Sequence, residues 1–531
     1  MINGDGNVIC DYSGNVASLP AGKYMEVGVY REPTENNCMH LTHYVGPVNP
    51  PFSAVPALPP FVRQSIATLT PKQIASLRKG IQVMMSRPAT DPTSYRFQAN
   101  IHATNDSPTT PQETQAWNQC EHGSFYFFSW HRMYLYFFER ILRTASGDPN
   151  LALPYWKWDD PAQRALPMAF REPSDASNPL YLPPPDDRPA ALDNGSAQLA
   201  DGTVSFKDAF KYANFLSPSG SGLSFGGQEV APGHFNSPHG QLESQPHDVV
   251  HDALGGLMQD PYTSSLDPIF YLHHAQIDRL WKRWLDQGTG QQDPLSDSAW
   301  MNTTFQFFDE TGHAVSLTGS QIIDTVGQLN YRYDDDPMVM GQSHPVPIER
   351  PTPLQATPVI EARNPLATSQ TTAPGARIKL SNAPVTVSLP LSEAADTELR
   401  AMAAPNAEHK IILQLDALQK EKSEGIYYEV YVNLAQGETP NFHSPNFVGT
   451  LSFFGLKPHP EGHGDRGGPQ NFTRDYDISN SVRALSAGGT WNSKEMSITL
   501  VPRGLVGRNG EPLPMSPEIA GTFGKITLSA E

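Results

Sequence analysis

The chain is short of cysteine, of basic residues and of long apolar runs, and each shortage removes a class of protein. Three cysteines in 531 residues are too few for a disulfide framework. Lys and Arg total 37 against 55 Asp and Glu, a formal charge of −18. That balance argues against nucleic acid or an anionic membrane as partner. No stretch is long and apolar enough to span a bilayer. The start, MINGDGNVICDYSGN, lacks a basic end followed by an apolar run, so no signal peptide is expected. The expectation is a soluble protein, with its compartment and oligomeric state open. No HExxH occurs, which removes a common zinc-protease signature. Proline is not scarce: its 50 residues are roughly twice the ordinary share. With 10% aromatic residues alongside, this predicts long ordered loops rather than disorder. The length favours two domains, each able to bury a core.

What the chain does have is histidine in two groups. The first is His102, His122 and His131; the second is His247, His251 and His274. Imidazole suits copper, zinc, iron and nickel, and two groups of three predict two metal ions. In PHDVVH, His247 and His251 are four apart, which on a helix puts both rings on one face. His131 lies in SFYFFSWHRMYLYFFERILR, apolar all round and so a buried helix. A buried imidazole needs partners for both nitrogens; a metal and an outer acceptor supply them.

These segments resemble the type-3 copper proteins: tyrosinases, catechol oxidases or polyphenol oxidases, and molluscan-type hemocyanins. The first motif is His122, GSFYFFS, Trp130-His131-Arg132 and Glu139; the second runs from Asp267-Pro268-Ile269-Phe270 to His274 and Asp278. QANIHA around His102 is similar to the plant-type first ligand. The resemblance is strong over residues 60–335. It implies a mainly α central domain, a four-helix bundle holding a dicopper site with long loops, and two copper ions ligated by the six histidines. It also implies O2 as co-substrate and small phenols as substrates, with oxidation of o-diphenols to o-quinones. A hemocyanin-like oxygen carrier and an o-aminophenol oxidase are the alternatives. The absence of an internal repeat favours the enzyme.

Further roles follow from the resemblance. Cys120, two residues before His122, is expected to form a thioether bond to that ring. Glu243 is expected to order a water near the second copper. Asp248 stands where many tyrosinases have Asn. It is either a stronger base, a different support for His247, or a helix-start group, and its presence puts monophenol hydroxylation in doubt. Pro261 occupies a place where plant members often carry a Phe gate, with Tyr262 as an alternative filler of the entrance. Asp278 is expected to orient a ligand ring or to cap backbone. Arg132 and Glu139 are expected to form structural pairs, and His273 to be a buried or rim histidine.

Along the chain, residues 1–60 read as an arm, with Cys10 and Cys38 either paired or left as reduced thiols. Thr70-Pro71 predicts a helix start. Residues 159–245 predict loops, with His234 and His239 as surface or loop histidines. The dicopper domain is bounded at 1–335, followed by a proline-rich linker at 336–375. From 376 to 531 short alternating segments such as HKIILQLDAL and GIYYEVYVNL predict a C-terminal β-sandwich. By the resemblance this sandwich is a lid over the copper site. Phe453 and Phe454 are the plug candidates.

Overall fold

The computed structural model describes residues 28–30, 40–42, 59–183, 188–217, 222–234, 236, 238–336, 365–368, 376–404, 410–421, 425–456, 472–492 and 494–530. Cys10, Cys38 and most of the 336–375 segment lie outside them. The chain forms two compact units, residues 1–59 and 60–531. In the first, strands Gly28–Tyr30 and His40–Thr42 pair antiparallel, with Val29 opposite Leu41.

In the second unit, helices carry the histidines. Helix Pro71–Ser86 starts as the sequence predicts: Thr70 Oγ accepts from the Gln73 backbone N–H, Gln73 caps in return, and Pro71 takes the first position. Leu77, Ile81 and Met84 are buried along it. Helix Tyr95–His102 is capped by Ser94 and ends on His102. Helix Phe127–Ser146 is the aromatic run, and it is buried on nearly every side. Its burial follows from packing against Pro71–Ser86 on one side and Ile269–Leu285 on another. That last helix carries His274 and begins at Ile269. The Asp267 carboxylate accepts from the Ile269 N–H, leaving Pro268 in the cap.

The pair His247 and His251 departs from the single-helix expectation. Glu243–His247 is a separate turn, broken at Gln245 (φ −156°, ψ 119°), and the regular helix is Asp248–Leu254. Pro246 has no N–H to continue the ladder. His247 therefore precedes the helix, yet its ring centroid lies 4.6 Å from that of His251.

Strand Phe61–Arg63 pairs parallel with Tyr331–Tyr333, so the two ends of the helical region meet. Buried charge sits beneath this ladder. Arg63 Nε donates to Glu139 (2.7 Å) and Arg132 Nε to Asp278 (2.6 Å); the Tyr331 and Tyr333 hydroxyls each donate to Asp278 at 2.6 Å. Asp278 thus meets two arginines and two tyrosines. The expected ring-orienting or capping role is corrected: the cations at Arg63 and Arg132 claim the carboxylate instead.

Residues 365–530 form two antiparallel sheets. One has the order Val385–Pro390, Glu495–Arg503, Tyr427–Val432, Phe447–Leu451. The other is centred on Ile411–Lys420, which pairs with Lys525–Ala530, Phe472–Asp477 and Gly521–Phe523. Leu413 and Leu415 of one sheet share an apolar core with Val430, Ile498 and Leu500 of the other. Pro365–Thr368, placed in the linker by sequence, is an edge strand on Lys525–Ala530.

Candidate metal centre

The six histidines converge as two triangles. His102 and His122 centroids are 5.3 Å apart, His102 and His131 5.5 Å, and His122 and His131 5.3 Å. In the second set His247 lies 4.6 Å from His251 and 4.8 Å from His274, which is 5.5 Å from His251. The sets adjoin where His131 stacks on His274, 4.5 Å apart and 16° from parallel.

The Nδ1 atoms of four rings are committed to oxygen. His102 Nδ1 lies 3.2 Å from the Pro261 carbonyl, His131 Nδ1 2.7 Å from that of Phe127, and His251 Nδ1 2.7 Å from that of Met258. His247 Nδ1 lies 2.9 Å from the Asp248 carboxylate. These oxygens only accept, so each Nδ1 carries the hydrogen and each Nε2 a lone pair. The Nε2 atoms of His102 and His131, and Nδ1 of His274, are buried with no hydrogen-bond partner among the described residues. Nε2 of His247 and of His251 lie 3.3 and 3.4 Å from His274 Nε2. A neutral His274 can offer Nε2–H to only one of these two lone pairs at a time, which leaves a buried acceptor that a cation would satisfy. Burial also holds all six rings below the usual histidine pKa, hence neutral and able to ligate. The donor set fits a metal pair.

Cys120 Sγ is 3.2 Å from His122 Nδ1 and 3.0 Å from His234 Nδ1. His234 is partly buried, and the Tyr262 ring packs against it at 5.6 Å. Sequence alone did not bring His234 to this cysteine. Pro261 is buried, and its carbonyl lies beside His102 Nδ1.

Around the second set stand carboxylates. Glu243 accepts from the Gly123 N–H at 2.9 and 3.1 Å through its two oxygens, and burial raises its pKa. Gly123 has φ +64°, and a Cβ there would meet the Asn236 carbonyl oxygen at 2.0 Å, so only glycine fits. Asp248 accepts from both His247 and His239, whose Nδ1 is 2.7 Å away. Burial works against its charge, but His239 and His247 hold its pKa below the usual range. His239 is therefore corrected from a surface or loop histidine to a buried partner of Asp248; its loop folds inward onto that carboxylate. His273 is buried too: Trp158 Nε1 donates to its Nδ1 (3.3 Å), and it stacks on His247 at 5.4 Å.

The two phenylalanines of the TLSFFGL segment part company. Phe454 stacks on His251, centroids 4.1 Å apart and 19° from parallel, and lies 5.6 Å from His247 and 6.1 Å from His122. Phe453 turns into the sheet core, so close to Gly521 that a Cβ there would meet its ring at 2.3 Å. Of the two, Phe454 covers the histidines, at the turn that follows strand Phe447–Leu451. The loop is tied down by Asp252, next to His251: its Oδ2 accepts from Ser452 Oγ (2.6 Å) and from the Phe453 N–H (2.9 Å).

Three family profiles match in succession: the common central domain of tyrosinase over residues 92–287, the polyphenol oxidase middle domain over 294–345, and a domain of unknown function (DUF7868) over 368–511. The chain is similar to tyrosinase HcTyr1 of Hahella sp. (strain CCB-MM4), 30% identical over 473 residues, which cover 83% of this chain and 95% of that one. It is also similar to the chloroplastic polyphenol oxidase II of Ipomoea batatas, 31% identical over 342 residues, or 61% of this chain and 57% of the relative. It thus spans little more than half of that plant protein. A solved structure of latent aurone synthase (polyphenol oxidase) from natural source aligns over 90% of each chain at 24% identity with a TM-score of 0.58, a likeness of fold. Among the described residues no helix is long and apolar enough to cross a membrane.

Proposed function

The chain belongs to the type-3 copper oxidoreductases, the family of tyrosinases and polyphenol oxidases, and from that premise we propose that it oxidises o-diphenols to o-quinones with O2. The observation that carries the reading is the pair of buried three-histidine triangles that adjoin where His131 stacks on His274. His102, His122 and His131 would hold one copper and His247, His251 and His274 the other. When bound, the copper pair would pass electrons from phenol to O2, two from each of two o-diphenols for the four that reduce one O2 to water.

The remaining work belongs to side chains. The ring of a catechol takes the place of Phe454 against His251, since that face already accepts an aromatic ring at stacking distance. Phe127, Phe270 and Trp130 keep the floor of the site dry. Glu243 is the group best placed to order a water or exchange a proton. Asp248 is less available, since its two oxygens face His239 and His247. This favours diphenols, which arrive more acidic, over monophenols. The full chain is latent in this reading: Phe454 blocks the site until its loop releases.

The test is copper content together with O2 uptake on a catechol and on its matched monophenol, before and after proteolysis between residues 336 and 364. Two coppers per chain, catechol turnover that rises on cleavage and weak monophenol turnover are expected. Copper binding without turnover in either form would favour an oxygen carrier.

A further inference from the structure

The six histidines differ in what orients them, and His247 depends on a side chain that can itself turn. His102, His131 and His251 direct Nδ1 at main-chain carbonyls, which are placed once the backbone folds. His122 has Cys120 beside it, and His274 is packed between His131 and Phe270, at 4.5 and 4.1 Å. His247 alone directs Nδ1 at a side-chain carboxylate, that of Asp248. A carboxylate can rotate about its last bond, so it orients a ring only if something else fixes it.

We propose that His239 is that fixing group, a positioning residue that acts through Asp248 on His247. The inference rests on the dicopper reading above. His239 Nδ1 lies 2.7 Å from Asp248 Oδ2, while His247 Nδ1 lies 2.9 Å from Oδ1. The three side chains are buried, at 7%, 4% and 0% exposure, so water does not substitute for a lost partner. With one oxygen taken by each imidazole, the carboxylate plane is set, and both Nδ1 atoms must be donors. His247 is thereby held with Nε2 bare and turned toward His274.

His239 is itself well placed to act as an anchor. Its carbonyl accepts from Ser244 Oγ at 3.3 Å. The neighbouring loop presses on it so closely that a Cβ at Gly222 would meet the His239 carbonyl oxygen at 2.3 Å. Glu243 stands 3.6 Å from the same Nδ1, behind the Asp248 contact. No other residue within this set supplies a donor to Asp248 Oδ2 among the described residues.

The experiment uses the full chain, copper-loaded, with three variants. His239→Phe keeps the volume and removes the donor. His239→Asn keeps an N–H near the position of Nδ1; His239→Gln moves that N–H outward, toward the position of Nε2. The readouts are copper release to a chelator and the electron paramagnetic resonance signal of isolated Cu(II). His239→Phe is expected to release one of two coppers about 10- to 100-fold faster than the parent, the usual effect of losing an outer-sphere partner. Isolated Cu(II) should then appear. His239→Asn should release it more slowly than His239→Gln. Parental release from a folded His239→Phe overturns the inference. If His239→Phe shows no cooperative melt, the Asn and Gln variants decide, and equal release from both overturns it. A parent chain that takes up no copper overturns the dicopper reading itself, and the inference with it.

Discussion

The first histidine triangle hangs on backbone and sulfur: the carbonyls of Pro261 and Phe127 and the thiol of Cys120. The second is surrounded by charge. His247 leans on Asp248, Asp248 on His239, and Glu243 stands nearby. Asp252, beside His251, holds the loop that lays Phe454 across the rings. His102 and His131 ride on helices and His122 sits in a loop whose carbonyl accepts from the Asn236 N–H, so the first triangle joins the 222–243 loop at one corner, while the second meets both that loop and the sheet region. On the function proposed above, control over substrate access and proton handling concentrates at the second triangle, and the first is the more rigid base.

Replacing a ligand histidine breaks this asymmetry most severely. His274 Nε2 faces both His247 and His251, and its ring stacks on His131. His131 meets His102 and His122 of its own set at 5.5 and 5.3 Å and stacks on His274 of the other at 4.5 Å. His131→Ala and His274→Ala should each lose the copper of their own set and catechol turnover. Copper per chain by metal analysis checks this; a variant that keeps two coppers would remove that histidine from the ligand set.

The next effect is on stability. Asp278 joins the helices that carry His131 and His274 through Arg132, and adds Arg63 from the first strand of the second unit. Asp278→Ala leaves two buried guanidinium groups short of a partner. Breaking a buried pair from one side costs about 3–5 kcal/mol. A denaturation midpoint should fall accordingly, with both triangles weakened together. A cost below about 1 kcal/mol, as for an exposed pair, would mean the arginines find other acceptors.

A third prediction concerns only the second triangle. Phe454 is a fully buried aromatic ring, worth about 1.5–3 kcal/mol of burial. Phe454→Ala should raise catechol turnover of the uncut chain about 10- to 100-fold, the population shift that such an energy allows. Ser452→Ala, which removes one of two bonds to Asp252, should give a smaller rise, and Phe453→Ala should lower stability without activation. Steady-state O2 uptake separates the three. Activation by Phe453→Ala but not Phe454→Ala would reverse the assignment of the pair.

Much of this was legible in the sequence, for reasons particular to each part. Four of the six candidate ligand histidines lie in HDVVH and HGSFYFFSWHR, and His102 and His274 in QANIHA and DPIFYLHH, where spacing and aromatic packing act over a few residues. Thr70-Pro71 and the alternating C-terminal segments likewise encode local structure. His239 was not legible. It lies eight residues before His247 in a Pro-, Gly- and Ser-rich loop without period, and only the tertiary path brings it to Asp248. Asp278 sits one helical turn after His274, which suggests a ring contact; its true partners come from residues 61–63 and 331–333, far along the chain. In TLSFFGL an aromatic pair before Gly455 suits a turn tip or sandwich core, and the sequence does not say which ring turns to the histidines. The packing of Phe453 against Gly521 decides that.

The smallest expected effect tests the rigid side of the comparison. Cys120 Sγ lies between His122 Nδ1 and His234 Nδ1, 3.2 and 3.0 Å away, fully buried. If the family's thioether forms, a mature copper-loaded chain has a mass lower by about two hydrogens, and Cys120 resists alkylation after denaturation. Reduction removes any difference due to Cys10 and Cys38 and leaves this one. The tether takes rotational freedom from one ring, and a side chain has up to about 2 kcal/mol of such freedom to lose; an imidazole held also by its neighbours has less. Cys120→Ser should therefore keep both coppers and lower turnover only a few-fold, far less than His239→Phe disturbs the second triangle. A large loss of copper from Cys120→Ser would show that the first triangle also depends on a side-chain support, and the contrast between a rigid base and a controlled second set would fail.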